Sequence, residues 1–148
     1  MGMPIPSEYV TLPPDVELFL TSWLRAALKR RGVDVEVDNK EPADLSFPLT
    51  RPLIVVRNDG GPKTSDVTFE WTVGITVLGG SRQDTKPTMD LARLTFALCS
   101  SVSVCLAEGS PLAAVAQKNG PYLVNDSADT ARAYMTFDYD LTGDVLAI

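Results

Sequence analysis

The sequence predicts an α+β fold, with a mainly antiparallel or mixed sheet of about five strands and two helices packed on one face. Two segments repeat apolar residues every three or four positions, as one-sided helices do. Two others alternate apolar and polar residues over about ten positions, as half-exposed strands do. The segments occur in the order helix, three strands, helix, two strands, which lacks the regular alternation of a parallel βαβ sheet.

The N-terminal part is expected to contain an irregular arm and then a helix. Residues 1–12 contain two prolines and no periodicity, so we expect an irregular arm there. Pro14 suits a first helical turn and Asp15 suits its positively polarised end. The helix has one apolar stripe: Val16, Phe19, Leu20, Trp23, Leu24, Ala27 and Leu28. Gly32 is typical of the position just after a helix.

Three strands are expected next. Residues 33–37 alternate apolar and acidic side chains, 38–50 contain two prolines and indicate a loop, and 53–56 form an apolar run typical of a buried strand. The segment 58–62 breaks that run as a hairpin connection would. The following strand has the clearest alternation in the chain, with these residues on one face: Val67, Phe69, Trp71, Val73, Ile75 and Val77.

The C-terminal half is expected to hold a second helix, a short helix and two strands. The second helix begins near Thr85 and Pro87, and its stripe is Leu91, Leu94, Leu98, Val102, Cys105 and Leu106. Ser110 and Pro111 suit a short helix ending at 118. Residues 122–124 favour a strand. A second long one-sided strand has the apolar face Ala133, Met135, Phe137, Tyr139 and Leu141.

The phases of these elements predict one core between the two helices and one sheet face. Its expected members are Phe19, Trp23, Val55, Phe69, Trp71, Val73, Ile75, Leu94, Leu98 and Phe137. Cys99 and Cys105 are six residues apart in a helical pattern, so they point to different sides of that helix and should not form a disulfide.

Catalytic chemistry is not expected from this composition. The chain has no histidine, which removes the commonest general base and the Ser–His and Cys–His nucleophile pairs. Residues 138–144 begin like a calcium loop, but their first four residues belong to a predicted strand, whereas an EF-hand loop joins two helices. We therefore expect no enzyme activity, no metal and no organic cofactor.

Charge and hydropathy limit the partners. The net charge of −6 argues against binding a nucleic-acid backbone, which requires clustered Lys and Arg. No apolar stretch approaches the roughly 18 residues of a membrane span. The N-terminus shows no secretion signal, so we expect synthesis and folding in a cytoplasm.

Over residues 13–142, the order of several local features resembles the tail terminator (tail completion) proteins of phages with long, non-contractile tails. The opening helix contains the run Pro-Asp-Val-Glu-Leu-Phe-Leu at 14–20. An apolar strand then ends in a Gly-Gly-Pro turn at 60–62. A long alternating strand, the Leu-Ala-Arg-Leu helix at 91–94 and the Tyr-Met-Thr-Phe strand at 134–137 follow.

The resemblance implies a single α+β domain over 1–148 that assembles as a hexameric ring on the end of the tail tube. Such a ring stops tube polymerisation and presents a surface to the head-completion (connector) proteins. DNA passes through its lumen without being read. It implies a virion location in the tail or neck, assembly in the host cytoplasm and no catalytic residues. The loop at 38–50 and the segment 109–121 depart from the family pattern.

Segregated charge suggests how a ring closes, because a head-to-tail interface joins two different patches. The basic candidates are Arg25, Lys29, Arg30 and Arg31, and the acidic candidates are Asp126, Asp129, Asp138 and Asp140. We expect the first group of one subunit to approach the second group of its neighbour. The hairpin at 58–66, with Asp59, Gly60, Gly61 and Lys63, is expected to reach towards the tube or connector. The alternative is that each charged group is only solvated.

Other functions stay open at this point. A head-closure (stopper) protein or a tail-tube subunit would share the composition, but a tube subunit should polymerise instead of stopping at a closed ring. A cytosolic ligand-binding module would require a closed apolar pocket.

Overall fold

A computed structural model of the protein describes residues 8–148, which contain seven strands and three helices. In chain order they are β1 (Tyr9–Leu12), α1 (Val16–Arg30), β2 (Glu36–Asp38), β3 (Leu53–Gly60), β4 (Thr68–Gly79), α2 (Lys86–Cys99), α3 (Val102–Leu106), β5 (Leu112–Val124), β6 (Ala131–Thr142) and β7 (Asp144–Ala147).

Five of the strands form one mixed sheet in the order β2-β3-β4-β6-β5. The short β2 is parallel to β3, and the other pairs are antiparallel. β4 and β6 pair along their whole length of 12 residues each. The two long helices pack on one face of this sheet, which we call the helical face, and the opposite face is called the polar face. The predicted α+β class is confirmed.

The core lies between the helical face and the stripes of α1 and α2. The largest fully buried side chains include Leu20, Leu24, Leu28, Ile54, Ile75, Met135, Phe137 and Tyr139. Phe137 stacks on Tyr139 with ring centroids 5.7 Å apart and meets Phe96 of α2 at 5.3 Å. Burying a large apolar side chain contributes roughly 1.5–3 kcal/mol, so this layer supplies most of the stabilisation.

Three hydrogen bonds define the start of α1 and its direction across the sheet. The Asp15 carboxylate caps the helix by accepting from the Leu18 amide at 3.1 Å. Glu17 accepts from the Asn58 amide at 2.7 Å, which places the start of α1 beside the end of β3. Arg25 donates to the Val37 carbonyl at 2.7 Å, so the end of α1 lies towards the start of β2.

The prediction of an irregular arm over 1–12 is wrong for its last four residues, and 1–7 lie outside the described residues. Tyr9–Leu12 form β1, which pairs antiparallel with β7 from Tyr9↔Ala147 to Leu12↔Asp144. The partner strand is more than 130 residues away in the chain. Short segments of this kind have no periodicity of their own, so local pattern does not reveal the pairing.

The short helix predicted from Ser110 to Lys118 is also wrong. The segment belongs to the edge strand β5, which pairs with β6 through several register shifts. One shift lies between Asn119 and Tyr122, where Gly120 has φ 105°. Pro121 is tolerated because edge strands leave some amides unpaired. The segment pairs with the edge of β6 that β4 leaves open, although its local pattern suits a helix.

Three predicted positions need correction: the core residue Val55 and two stripe residues of the second helix, Val102 and Leu106. Val55 pairs with Thr76 and lies on the polar face, because Ile54 and Val56 occupy the helical face. Val102 is 71% exposed, since α2 ends at Cys99 and α3 begins in a new direction after Ser100 and Ser101. Leu106 at the end of α3 is likewise exposed.

Five of the predicted core residues are only half-buried, although they pack against the core: Phe19, Trp23, Trp71, Leu94 and Leu98. Phe69, Val73, Ile75 and Phe137 are buried as predicted. Trp71 has a tilted ring contact with Phe69 at 5.1 Å. The centre of the core therefore lies between α2 and the residues of β4 and β6 that face it. The outer positions predicted on α1 and α2 lie at its margin.

The loop predicted over 38–50 contains no helix or strand after Asp38, which is the last residue of β2. Glu41 from this loop forms an ion pair of 2.7 Å with Arg132 on the polar face of β6. Arg132 is the register partner of Leu78, which is fully buried although it lies on the polar face. The loop thus folds over this end of the polar face.

Candidate assembly surfaces

The basic helix end consists of Lys29, Arg30 and Arg31, in the last turn of α1 and at its C-cap. All three side chains are exposed, and within residues 8–148 none of them forms an ion pair. Arg25, which was predicted to belong with them, is instead used inside the subunit through its bond to Val37. The helix dipole favours cations here, which makes a basic end a common stabilising feature as well as a candidate contact.

The acidic residues predicted for the opposite side of the interface divide into two groups. Asp126 and Asp129 lie in the connection between β5 and β6. The Ala128 amide and the Arg132 guanidinium, 2.9 and 2.7 Å from the Asp126 carboxylate, hold the pKa of that carboxyl below its usual range. Asp129 accepts from the Arg82 amide at 3.3 Å. Both carboxylates therefore have partners within the subunit.

Asp138 and Asp140 lie on the polar face of the sheet, together with a carboxylate that the sequence analysis did not select. Glu70 is the direct cross-strand partner of Asp140, and Thr72 is the partner of Asp138 and donates to it at 2.6 Å. No cation of the described chain lies within ion-pair distance of these three carboxylates, which we call the acidic sheet face. Like charges directly opposite each other are unfavourable, so an external cation would stabilise the group.

The predicted contact hairpin is tightly closed. Asp59 forms an ion pair with Arg57 at 2.6 Å, and Arg57 also donates to the Tyr134 hydroxyl at 3.2 Å. Gly60 has φ 76°, and a Cβ at Gly61 would overlap the Glu70 carbonyl oxygen, so both positions require glycine.

The remainder of the hairpin is held against β4. Lys63 forms an isolated bridge with Phe69, and the Glu70 amide donates to the Pro62 carbonyl at 3.0 Å. Every residue of the hairpin from 61 to 66 is nevertheless exposed, including Lys63 and Asp66.

The basic helix end and the acidic sheet face lie on different layers of the subunit and near opposite ends of the sheet. The basic helix end lies on the helical face near the start of β3, because Arg25 of the same helix bonds to Val37, which pairs with that part of β3. The acidic sheet face lies on the polar face near the start of β4, where Glu70 pairs with Asp140. The two groups therefore do not meet within one chain.

An exposed ribbon, formed by β1, β7 and Ile148, was missed by the sequence analysis. Every large apolar side chain in it is between 41% and 77% exposed: Tyr9, Val10, Leu12, Val145, Leu146 and Ile148. The ribbon is joined to the body by main-chain bonds, including one of 2.9 Å from the Gly143 amide to the Val67 carbonyl. The apolar residues 145–148 could have indicated a strand, but the sequence did not reveal β1 as its partner.

A groove of about 740 Å³ lies beside the root of the ribbon. Leu18, Phe19 and Trp23 of α1 form its apolar wall, and Leu18 is 64% exposed. Its other walls include the connection between α3 and β5, Thr142 at the end of β6 and Asp144 at the start of β7.

The two cysteines are free thiols, as predicted. Cys99 is buried, and burial raises its pKa to about 12. Among residues 8–148, no three His, Cys, Asp or Glu side chains are placed to hold a metal ion. None of the helices in this part of the chain has the length and apolar character needed to cross a membrane.

No protein-family model matches the sequence, and no curated protein matches it significantly.

Proposed function

We propose that the chain is a structural subunit of a phage virion, a tail terminator that closes into a ring at the end of the tail tube. The exposed ribbon is the observation that carries the proposal. Six large apolar side chains on a strand pair without cover make a surface of the type that another protein normally buries. The resemblance of residues 13–142 to tail terminators supplies the kind of assembly.

The distribution of charge supports a head-to-tail ring. In such a ring one patch of each subunit contacts a different patch of the next. The basic helix end and the acidic sheet face are two patches of opposite sign that do not meet within a subunit. Complementary charges of this kind set the register of an interface more than its affinity.

The proposed role follows from the ring. A closed ring on the tube end leaves no free surface for another tube subunit, so polymerisation stops, and its far side is available to a head-completion protein. DNA passes through the lumen and is not read, which agrees with the net charge of −6. The protein would be a virion component of the tail or neck, assembled in the host cytoplasm.

The direct test is the state of the purified protein. Multi-angle light scattering should give a mass near six times the 16.0 kDa chain, and negative-stain electron microscopy should show closed rings. A monomer at all concentrations up to the millimolar range would contradict the proposal.

A tail-tube subunit or a stopper protein is the second candidate, and one observation favours it. β5 is an exposed edge strand of 13 residues, and an edge of that length offers main-chain groups for sheet extension. Open tubes in the electron microscope, instead of rings, would select the tail-tube subunit.

A further inference from the structure

The exposed ribbon is apolar on both of its faces. Side chains alternate along a strand, and the register places Tyr9 and Val145 on one face and Val10, Leu12 and Leu146 on the other. All five are more than two-fifths exposed. An isolated strand pair is marginally stable in water, so a ribbon of two four-residue strands benefits from a covering surface.

The groove beside the ribbon has one apolar wall and a polar rim that includes Asp15 and Glu108, and the chain's own ribbon leaves the apolar wall uncovered. Its apolar wall is formed by Leu18, Phe19 and Trp23. The root of the ribbon at Asp144 contributes to the wall, whereas the apolar residues 145–148 are not part of the lining. The ribbon therefore passes beside its own groove without filling it.

We infer that the exposed ribbon of one copy docks into the Leu18–Trp23 groove of a second copy. This inference rests on the proposed function, because it supplies the contact through which the ring would assemble. Every copy carries both the ribbon and the groove. A contact between two different patches of this kind propagates into a ring or a filament.

The area is of the right order for a subunit contact. A standard interface covers roughly 800 Å² on each partner, and six half-exposed side chains of this size supply roughly half of that. The groove wall and the neighbouring backbone provide the remainder. The aromatic side chain of Trp23 is of the kind that dominates binding energy in such interfaces.

Mixed disulfide trapping tests the contact. One chain carries Leu18→Cys and a second, isotopically labelled chain carries Leu146→Cys, both with Cys105→Ser. Cys99 is buried and does not need replacement. After mixing and oxidation with glutathione disulfide, mass spectrometry should find dimers that link a labelled chain to an unlabelled chain.

A matched control uses Val102→Cys in place of Leu18→Cys. Val102 is at least as exposed as Leu18 but does not line the groove. The yield of mixed dimers should be at least about tenfold lower with Val102→Cys. Equal yields in the two mixtures would overturn the docking, since random collision would then explain both.

A second variant separates this inference from the proposed function. The double variant Val10→Ser and Leu146→Ser should weaken self-association by about tenfold or more, because each substitution removes an apolar side chain from the docking ribbon. Wild-type rings that persist unchanged in this variant would overturn the docking and leave the ring intact. Filaments or dimers that the variant abolishes would support the docking and contradict the terminator. A monomeric wild-type protein would overturn both.

Discussion

Strands β6 and β7 are almost one continuous stretch of extended chain, separated only by Gly143, yet they differ completely in burial. In β6, alternate residues from Ala131 to Leu141 are buried. In β7 all four residues are exposed, although two of them are Val145 and Leu146. The difference lies in what covers each strand: α2 packs over β6, whereas only β1 pairs with β7.

The comparison shows that apolar residues alone do not determine where the core of this subunit lies. Alternation in β6 predicts one buried face because the sequence also contains two amphipathic helices to cover it. The ribbon has equally apolar residues and no helix to cover it. The apolar residues of β6 thus stabilise the fold, whereas those of the ribbon remain exposed.

The largest expected effect is a difference between core and ribbon truncations. Phe137→Ala removes a fully buried ring that contacts Tyr139 and Phe96, and it should lower the free energy of unfolding by about 3–5 kcal/mol. Val145→Ala in the ribbon should change it by about 0.5 kcal/mol or less. Urea unfolding followed by circular dichroism, at a concentration where the chain is monomeric, measures both. Similar losses of unfolding free energy in the two variants would contradict the distinction between a buried core and an uncovered ribbon.

The next effect concerns a buried polar contact on β6. The Tyr139 hydroxyl donates to the Cys99 carbonyl at 2.7 Å, and burial raises the pKa of Tyr139, so this hydroxyl stays protonated. Tyr139→Phe should therefore destabilise the fold by about 1–2 kcal/mol. The control is Tyr9→Phe in the ribbon, where the hydroxyl is not buried. An unchanged unfolding midpoint for Tyr139→Phe would show that the hydrogen bond contributes nothing.

A smaller effect depends on pH. The pKa of Asp126 is depressed in the folded chain by the Ala128 amide and by Arg132, so its contribution is present above the unfolded value near 3.8. This contribution to stability is lost as the pH falls through the lower pKa that Asp126 has in the folded chain. Asp126→Asn should destabilise the protein by about 1 kcal/mol at pH 7, and this difference should shrink below about pH 4. The control is Asp144→Asn at the start of β7, where no such loss is expected.

That experiment reads the unfolding free energy of both variants at a series of pH values. A difference between wild type and Asp126→Asn that stays constant from pH 7 to pH 3 would contradict the assigned role of the carboxylate.

The smallest effect is expected from the charged surfaces. Reversing Arg30 and Arg31 to glutamate should weaken ring formation at low salt and matter less at high salt, because exposed ion pairs contribute only about 0–1 kcal/mol each and are screened. The double change to lysine keeps the charge and should leave assembly unaltered. Light scattering across salt concentrations measures both variants. Unchanged assembly of the glutamate variant at low salt would exclude a charge-matched interface.

Much of the fold could be predicted from the sequence, since long periodic segments report their covered face directly. The stripe of α1 and the alternation of β4 and β6 are of this type. Pairings between distant short strands could not be predicted, because four residues such as Tyr9–Leu12 have no period and no visible partner. Residues 112–118 of β5 were misassigned because their pattern suited a helix, whereas 122–124 were predicted as a strand and are one.

The candidate surfaces were predicted less well than the fold. Charge counts along the chain placed Asp126 among the interface residues, but the folded chain pairs it with Arg132. Counting charges also missed Glu70, which joins Asp140 only through cross-strand register. Local charge patterns do not contain this information, because the partners are brought together by tertiary pairing.

The most direct test of the assembly proposal is the mass of the full chain in solution, read together with electron micrographs of the same sample. We expect closed rings of about six subunits, whose formation weakens by about tenfold or more when the ribbon carries Val10→Ser and Leu146→Ser, while the unfolding free energy of the monomer changes little. A wild-type chain that stays monomeric at every concentration tested would contradict it.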